Sequence, residues 1–260
     1  MHTLRILAAL QSAALRRALA HRADFAFELV LAVVGGVSSL AALGAVYSRT
    51  RALGGWDPAS AVVLLGTFQI VSGLRSALVE PNLAWFHQRL RDGRFDQVLT
   101  QPASSLLLAT LGGCAPAALL QSAAGVLVVA GGVAAEPAPP SVAAVAVWLL
   151  LTASASAVMW ATRTLVAAVG FWALGLALDS VYSATWQFGR YPVQLYRRPL
   201  DLVLTYALPV GLIATVPASA LVRDASLLTA ATALAATAAL CALTAATWSR
   251  GLRRYTGATS

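Results

Sequence analysis

The sequence predicts an all-α polytopic membrane protein with six transmembrane helices. Three observations carry that expectation. Hydrophobic residues make up 59% of the 260 and charged residues only 11%, against about 25% charged in an ordinary soluble domain. Apolar runs close to the ~20 residues that cross a bilayer recur along the chain. The polar segments between them carry Arg as their only long basic residue. Such a chain cannot cover a globule with polar surface. That excludes a soluble globular enzyme, a disordered chain and a nucleic-acid binder, and makes membrane lipid the surrounding partner.

Residues 1–24 hold Arg5, Arg16, Arg17 and Arg22 between short apolar runs. They lack the long apolar core and small-residue cleavage site of a signal peptide. The segment reads as an interfacial helix on the cytoplasmic surface. Residues 25–260 form one transmembrane domain, with spans expected at 25–47, 59–79, 104–131, 142–161, 164–182 and 226–248. Gly54-Gly55-Trp56-Asp57-Pro58 and Glu136-Pro137-Ala138-Pro139-Pro140 are turn signals between spans. Arg163 reads as a very tight turn between the fourth and fifth spans. Residues 80–103 are the longest polar stretch. Residues 183–201 are polar and aromatic. Residues 202–222 are apolar but interrupted by Pro209 and Pro217, which favours a broken, re-entrant element.

All 18 basic residues are Arg. Basic residues gather in cytoplasmic loops. With both termini cytoplasmic, 12 of the 18 fall inside, Arg75 and Arg163 among them. A seven-span alternative would place Arg250, Arg253 and Arg254 outside. The absence of Lys excludes a P-loop and Schiff-base chemistry. His2, His21 and His87 lie in polar segments, so Ser38, after Gly35-Gly36-Val37, has no base at its level. Small residues there allow close helix packing instead. Cys114 and Cys241 sit in apolar runs without metal or disulfide spacing. The chain is therefore expected not to be an enzyme and to bind no cofactor. Glu28 and Asp179 are the two membrane-level acids, which are functional candidates by default. Both lie within about one turn of a span end, so pairing with headgroups or Arg is the other reading.

Two segments carry a family resemblance. Arg91-Asp92-Gly93-Arg94-Phe95-Asp96-Gln97-Val98-Leu99-Thr100-Gln101-Pro102 resembles the G-x-(hydrophobic)-D-x-x-L-x-x-P segment after the second span of ABC-2-type permeases. Phe188-Gly189-Arg190-Tyr191-Pro192, Tyr196, Tyr206-Ala207-Leu208-Pro209 and Pro217-Ala218, with Phe171-Trp172, resemble the branch that pairs with daunorubicin-type ATPases. Gln101 stands where that branch often has a basic residue. The resemblance implies a permease subunit of a bacterial ABC exporter in the inner membrane. ATP and Mg would sit on a separate cytoplasmic ATPase present in two copies. A second permease, identical or related, would complete a path for an amphipathic small molecule, drug or secondary metabolite. It further implies that residues 82–102 contact the ATPase through Phe86, Arg89, Leu90, Arg91, Asp92, Gly93, Arg94, Phe95 and Asp96. Glu28, Asp179, Tyr191, Tyr206 and Pro209 are the candidates for substrate path or gating.

The residues agree locally. Pro81 suits a helix first turn, Leu83, Phe86 and Leu90 have helical spacing, Gly93 can end that helix, and Asp96 is a candidate cap for a short helix after it. A stand-alone proton-coupled carrier using Glu28 and Asp179 is the alternative function, and a scaffold without transport a third.

Overall fold

The computed structural model describes residues 2–20, 22–173, 176, 178–198, 204, 209–223 and 226–255. In chain order the helices are α1 (His2–Ala20), α2 (Arg22–Tyr47), α3 (Pro58–Leu74), α4 (Glu80–Arg91), α5 (Asp96–Leu99), α6 (Ser105–Leu111) and α7 (Leu119–Ala134). They continue with α8 (Val142–Ala168), α9 (Leu178–Trp186), α10 (Val216–Val222) and α11 (Leu227–Arg254). No strand occurs among the described residues. Among the described residues five helices are long and apolar enough to cross a membrane, so the all-α polytopic class holds.

α3 is the centre of the bundle. Asp57 caps it, accepting a 3.0 Å bond from the Ser60 N–H, with Pro58 in the first turn. Burial raises the Asp57 carboxyl pKa, but hydrogen bonds from Ser60 and Ala59 outweigh it and hold the group below its ordinary value. A depressed carboxylate stabilises the fold above its unfolded pKa, and that contribution fades as pH falls through the folded value. Asp57→Ala is expected to cost about 1 kcal/mol and to flatten stability against pH in the acid range. Thermal unfolding in detergent across pH checks both. A melting point unchanged at neutral pH would contradict it.

α3 meets α7 with almost no side chain between them. A Cβ on Gly66 would lie 2.7 Å from the Val129 nitrogen, and one on Gly125 2.7 Å from the Ile70 nitrogen. Both positions therefore need glycine, and the backbones touch as small-residue interfaces in membranes allow.

Three boundaries differ from the sequence expectation. The 59–79 span does not end at a loop. α3 passes through one π turn (Arg75–Val79) straight into α4, so Pro58–Arg91 is a single 34-residue rod about 50 Å long. Pro81, in the resumed first turn, has no N–H for the Ala77 carbonyl, which accepts from Ala115 instead. The 104–131 span is broken: α6 stops at Leu111 and helix resumes at Pro116. The freed backbone groups are satisfied by polar partners. The Asn82 side chain pairs with Gly113 like a peptide, donating to its C=O at 2.9 Å and accepting from its N–H at 2.6 Å. The Ala115 N–H donates to the Ala77 carbonyl at 2.8 Å, and Gln11 of α1 donates to the Leu111 carbonyl at 2.7 Å. Irregular backbone at membrane depth persists when protein groups pair with it.

The third correction concerns Arg163. It is no turn: α8 runs through it as a 27-residue helix, Val142–Ala168. No Gly or Pro interrupts that stretch, and the charge is housed by partners described below. The 164–182 span is accordingly not one helix. α8 ends in a 3-10 turn at Val169–Phe171, and α9 begins at Leu178. Of the 202–222 segment, most residues before Pro209 lie outside the described residues. Gly211–Val222 is a short apolar helical piece of about 18 Å, less than the ~30 Å hydrocarbon core.

Candidate functional site

The polar stretch after the second span is rigidly mounted. α4 ends at Arg91, and Gly93 (φ 67°) turns the chain in the left-handed region, with the Arg94 N–H donating back to the Arg89 carbonyl at 2.9 Å. α5 follows. Asp96 is the first residue of α5 and does not cap it: Phe95 occupies the cap position, without a side-chain bond. Phe86 and Phe95 are fully buried, and Leu90 nearly so. Their rings pack at 5.3 Å on each other, and Phe86 lies 5.0 Å from Trp248 and 5.3 Å from Phe171. Tyr255 closes the box at 5.6 Å from Phe95. Burial, aided by the Asp96 carboxylate, raises the Tyr255 hydroxyl pKa.

This corrects part of the expected contact set. Phe86, Leu90 and Phe95 face the interior and leave no surface for a partner. They hold the segment against α11 and the end of α8. What remains outward is a ridge: Arg91, Asp92, Arg94, Gln97, Leu99 and Thr100 are exposed, with Gly93 and Asp96 half-buried. Beside it the Arg89 guanidinium lies over the exposed Trp85 ring at 3.2 Å. The face is basic, with apolar Leu99 and Trp85 at its edges.

Where α4 begins, about 16 Å along the helix from Arg91, lies an ion cluster the sequence did not reveal. Glu80 accepts from Arg75 at 2.7 Å and from Arg163 at 3.0 Å through both Nε and Nη2. Arg163 donates Nη1 to Asp179 at 2.7 Å. His87 Nδ1 lies 3.4 Å from the second Asp179 oxygen. Arg163 is 4% exposed, Asp179 50%. Two cations and two carboxylates balance, so the bundle houses them without net charge, as buried charges require. Asp179 is thus an ion-pair partner. Arg75 and Arg163 are held in this cluster, not in loops, leaving ten inside against six outside in the Arg count. One sequence signal could have found it: Arg163 sits in a helix-forming run with no Gly or Pro, and a helix continued through it would need an acid from elsewhere in the chain.

The other candidates lie apart from the cluster. Glu28 is exposed on α2 and lines a cleft with Gln69, Gln121 and Arg190. Tyr191 is half-buried and borders the adjoining cleft. Pro209 is buried, and its carbonyl accepts from the Leu212 N–H at 3.0 Å. Tyr206 lies outside the described residues. Among the described residues no three His, Cys, Asp or Glu side chains are grouped to hold a metal.

A multi-pass helical bundle with a long rod carrying a basic ridge defines a polytopic membrane protein. The family model for ABC-2 family transporter proteins matches residues 34–259, and the chain belongs to that family. It is a membrane component of an ABC transporter, not itself the ATPase. No curated protein matches the chain, nor does any solved structure.

Proposed function

We propose that the chain is the permease subunit of an ATP-driven exporter of an amphipathic small molecule, working with a cytoplasmic ATPase in two copies. ATP and Mg would be bound on that partner, and this chain would hold no cofactor. One observation carries the reading: the ridge Arg91–Thr100 is outward, while its support is an aromatic box and a rod continuous with the central spanning helix. A push on such a ridge moves the bundle instead of bending a loop. The remaining Arg distribution favours cytoplasmic termini in a bacterial inner membrane. A second permease, identical or related, would cover α2, whose Phe27, Val30, Val34 and Val37 are exposed. The carrier alternative is weakened because Asp179 is already paired with Arg163, leaving Glu28 as the one free acid of the pair considered.

The test is affinity purification of the chain from its native host in mild detergent. A P-loop ATPase is expected to co-elute. The charge reversal Arg91→Glu with Arg94→Glu is expected to cut its recovery about tenfold, the loss of roughly 1.4 kcal/mol, without reducing membrane insertion. Absence of any nucleotide-binding partner would overturn the reading. Undiminished recovery with the reversed ridge would overturn the docking surface.

A further inference from the structure

Ala84, His87 and Arg91 share one face of α4 by their helical spacing, and that face borders a cavity of about 460 Å³. The opposite wall is the end of α8, with Val166 and Val169, and the start of α9 supplies Asp179. Arg163 meets Glu80, and the His87 ring meets the Ala167 carbonyl at 3.4 Å. α4 and the end of α8 therefore run side by side in the same direction. Val166 and Val169 lie toward the α3 end of the cavity, and Arg91 lies toward the ridge.

A cation and an acid face this space. Arg91 is exposed and has no acid partner among the described residues. Helix side chains lean over the turn before their own, so Arg91 covers the level of His87. Asp179 stands at that level, 3.4 Å from the His87 ring. It accepts from Arg163 at 2.7 Å and is 50% exposed. A carboxylate has about four acceptor positions, so it can take further donors. His87 turns its ring nitrogens to Asp179 and Ala167 and offers a ligand little more. A ligand here meets both charges side by side, with an apolar wall on one side of them.

The depth of the cavity fixes what reaches it. From Pro58 to His87 the rod is about 44 Å long. A bilayer with its headgroups is about 40–45 Å thick. A rod that starts among the headgroups of one leaflet reaches those of the other at His87 to Arg91. Trp85 and Trp172 are both partly exposed beside the cavity, as indoles are at membrane interfaces. The valines then face hydrocarbon, and the two charges face headgroups.

We propose that the cavity holds one phosphatidylethanolamine molecule, its phosphate on Arg91, its ammonium on Asp179 and its acyl chains against Val166 and Val169. A primary ammonium donates N–H groups to a carboxylate, which a choline headgroup cannot do. An anionic headgroup would set like charge against Asp179. This goes beyond the permease reading, because the lipid is a fixed part of the bundle and not its cargo.

The test uses the chain purified in mild detergent without ATPase. Equal amounts of phosphatidylethanolamine, phosphatidylcholine and phosphatidylglycerol are added, and native mass spectrometry counts the lipid kept per chain. Wild type is expected to keep one phosphatidylethanolamine, favoured about tenfold over the choline lipid, since a charge-assisted bond separates them. Asp179→Asn is expected to bring the two lipids near parity. Arg91→Gln is expected to lower retention of all three about tenfold while the protein stays monodisperse. Arg94→Glu, outside the cavity lining, is expected to keep the lipid. Equal retention of the ethanolamine and choline lipids by wild type, a preference for phosphatidylglycerol, or unchanged retention in Arg91→Gln overturns the proposal. Retention of no lipid overturns it too. Displacement of the lipid by millimolar inorganic phosphate does the same, since Arg91 would then hold a free anion. Because no ATPase is present, failure here leaves the permease reading standing. Absence of a co-purifying ATPase, conversely, leaves the lipid cavity standing.

Discussion

Arg163→Leu is expected to destabilise the folded chain by about 2–3 kcal/mol, less than the ~3–5 kcal/mol of breaking a fully buried pair from one side, because Glu80 and Asp179 are 30% and 50% exposed. The leucine fits a helix, so the effect does not come from α8 itself. It comes from Glu80 and Asp179, which lose three guanidinium nitrogens between them. Glu80 keeps Arg75, but the cluster is then left with one excess negative charge inside the bundle. Asp179→Asn should be far milder. Asp179 is half exposed, and solvent screens what it contributes. Arg163→Lys should fall between the two, since an ammonium keeps the charge but cannot donate along two edges to both acids. The ranking separates an ion cluster from mere packing. Heat-induced loss of monodisperse protein in detergent measures it. An Arg163→Leu variant that melts with wild type, or an Asp179→Asn variant that melts lower than Arg163→Leu, would show that the cluster is not what joins α4, α8 and α9.

How much of this was legible in the sequence depends on the range of the interaction. Local chemistry was readable. The turn at Gly54-Gly55, the apolar runs of α2 and α11, Pro81 in a first turn and Gly93 at a helix end all depend on residues within a few positions. The break in the third span was also written locally, as Gly112-Gly113 and Pro116, but the apolar run around it argued for continuity. What satisfies the break is Asn82 and Gln11, which no window around residue 113 contains. Arg163 failed for the same reason. An arginine in an apolar run reads as a turn until its acids are known, and Glu80 lies 83 residues away. The site shows the pattern again. Helical spacing placed Phe86 and Leu90 on one face of α4, yet the direction of that face was set by Trp248 and Phe171. The exposed members of the ridge, Arg91, Asp92 and Arg94, needed no distant partner to be placed correctly on the surface.

The aromatic box yields the second large effect. Phe95→Ala is expected to cost about 3–5 kcal/mol, as for any fully buried phenylalanine truncated in a packed core. The loss should be local in its first consequence. Phe95 meets Phe86, Phe171, Trp248 and Tyr255 edge-on or nearly so, and these contacts clamp the turn between α4 and α5. The α3–α7 seam does not involve them. Trypsin cleaves after arginine, and Arg91 and Arg94 flank the clamped turn on its exposed side. In wild type the turn is expected to resist, because its backbone is fixed by the Gly93 geometry and the box beneath. Released, it should be cut before the spanning helices unfold, since cleavage follows the population of the locally open state. Limited trypsin digestion in detergent is therefore expected to nick Phe95→Ala between α4 and α5 at least about tenfold faster than wild type, for 1.4 kcal/mol or more of local stability lost. Trp248→Ala should produce the same nick from a position more than 150 residues away, which a purely local effect of residue 95 would not. Trp248→Phe should largely restore resistance, because the ring contact survives and only the 3.3 Å bond to Ser105 is lost. Unchanged cleavage in both alanine variants would mean the ridge is not braced by the box, and a force applied at Arg91 or Arg94 would then have no stiff path into the bundle.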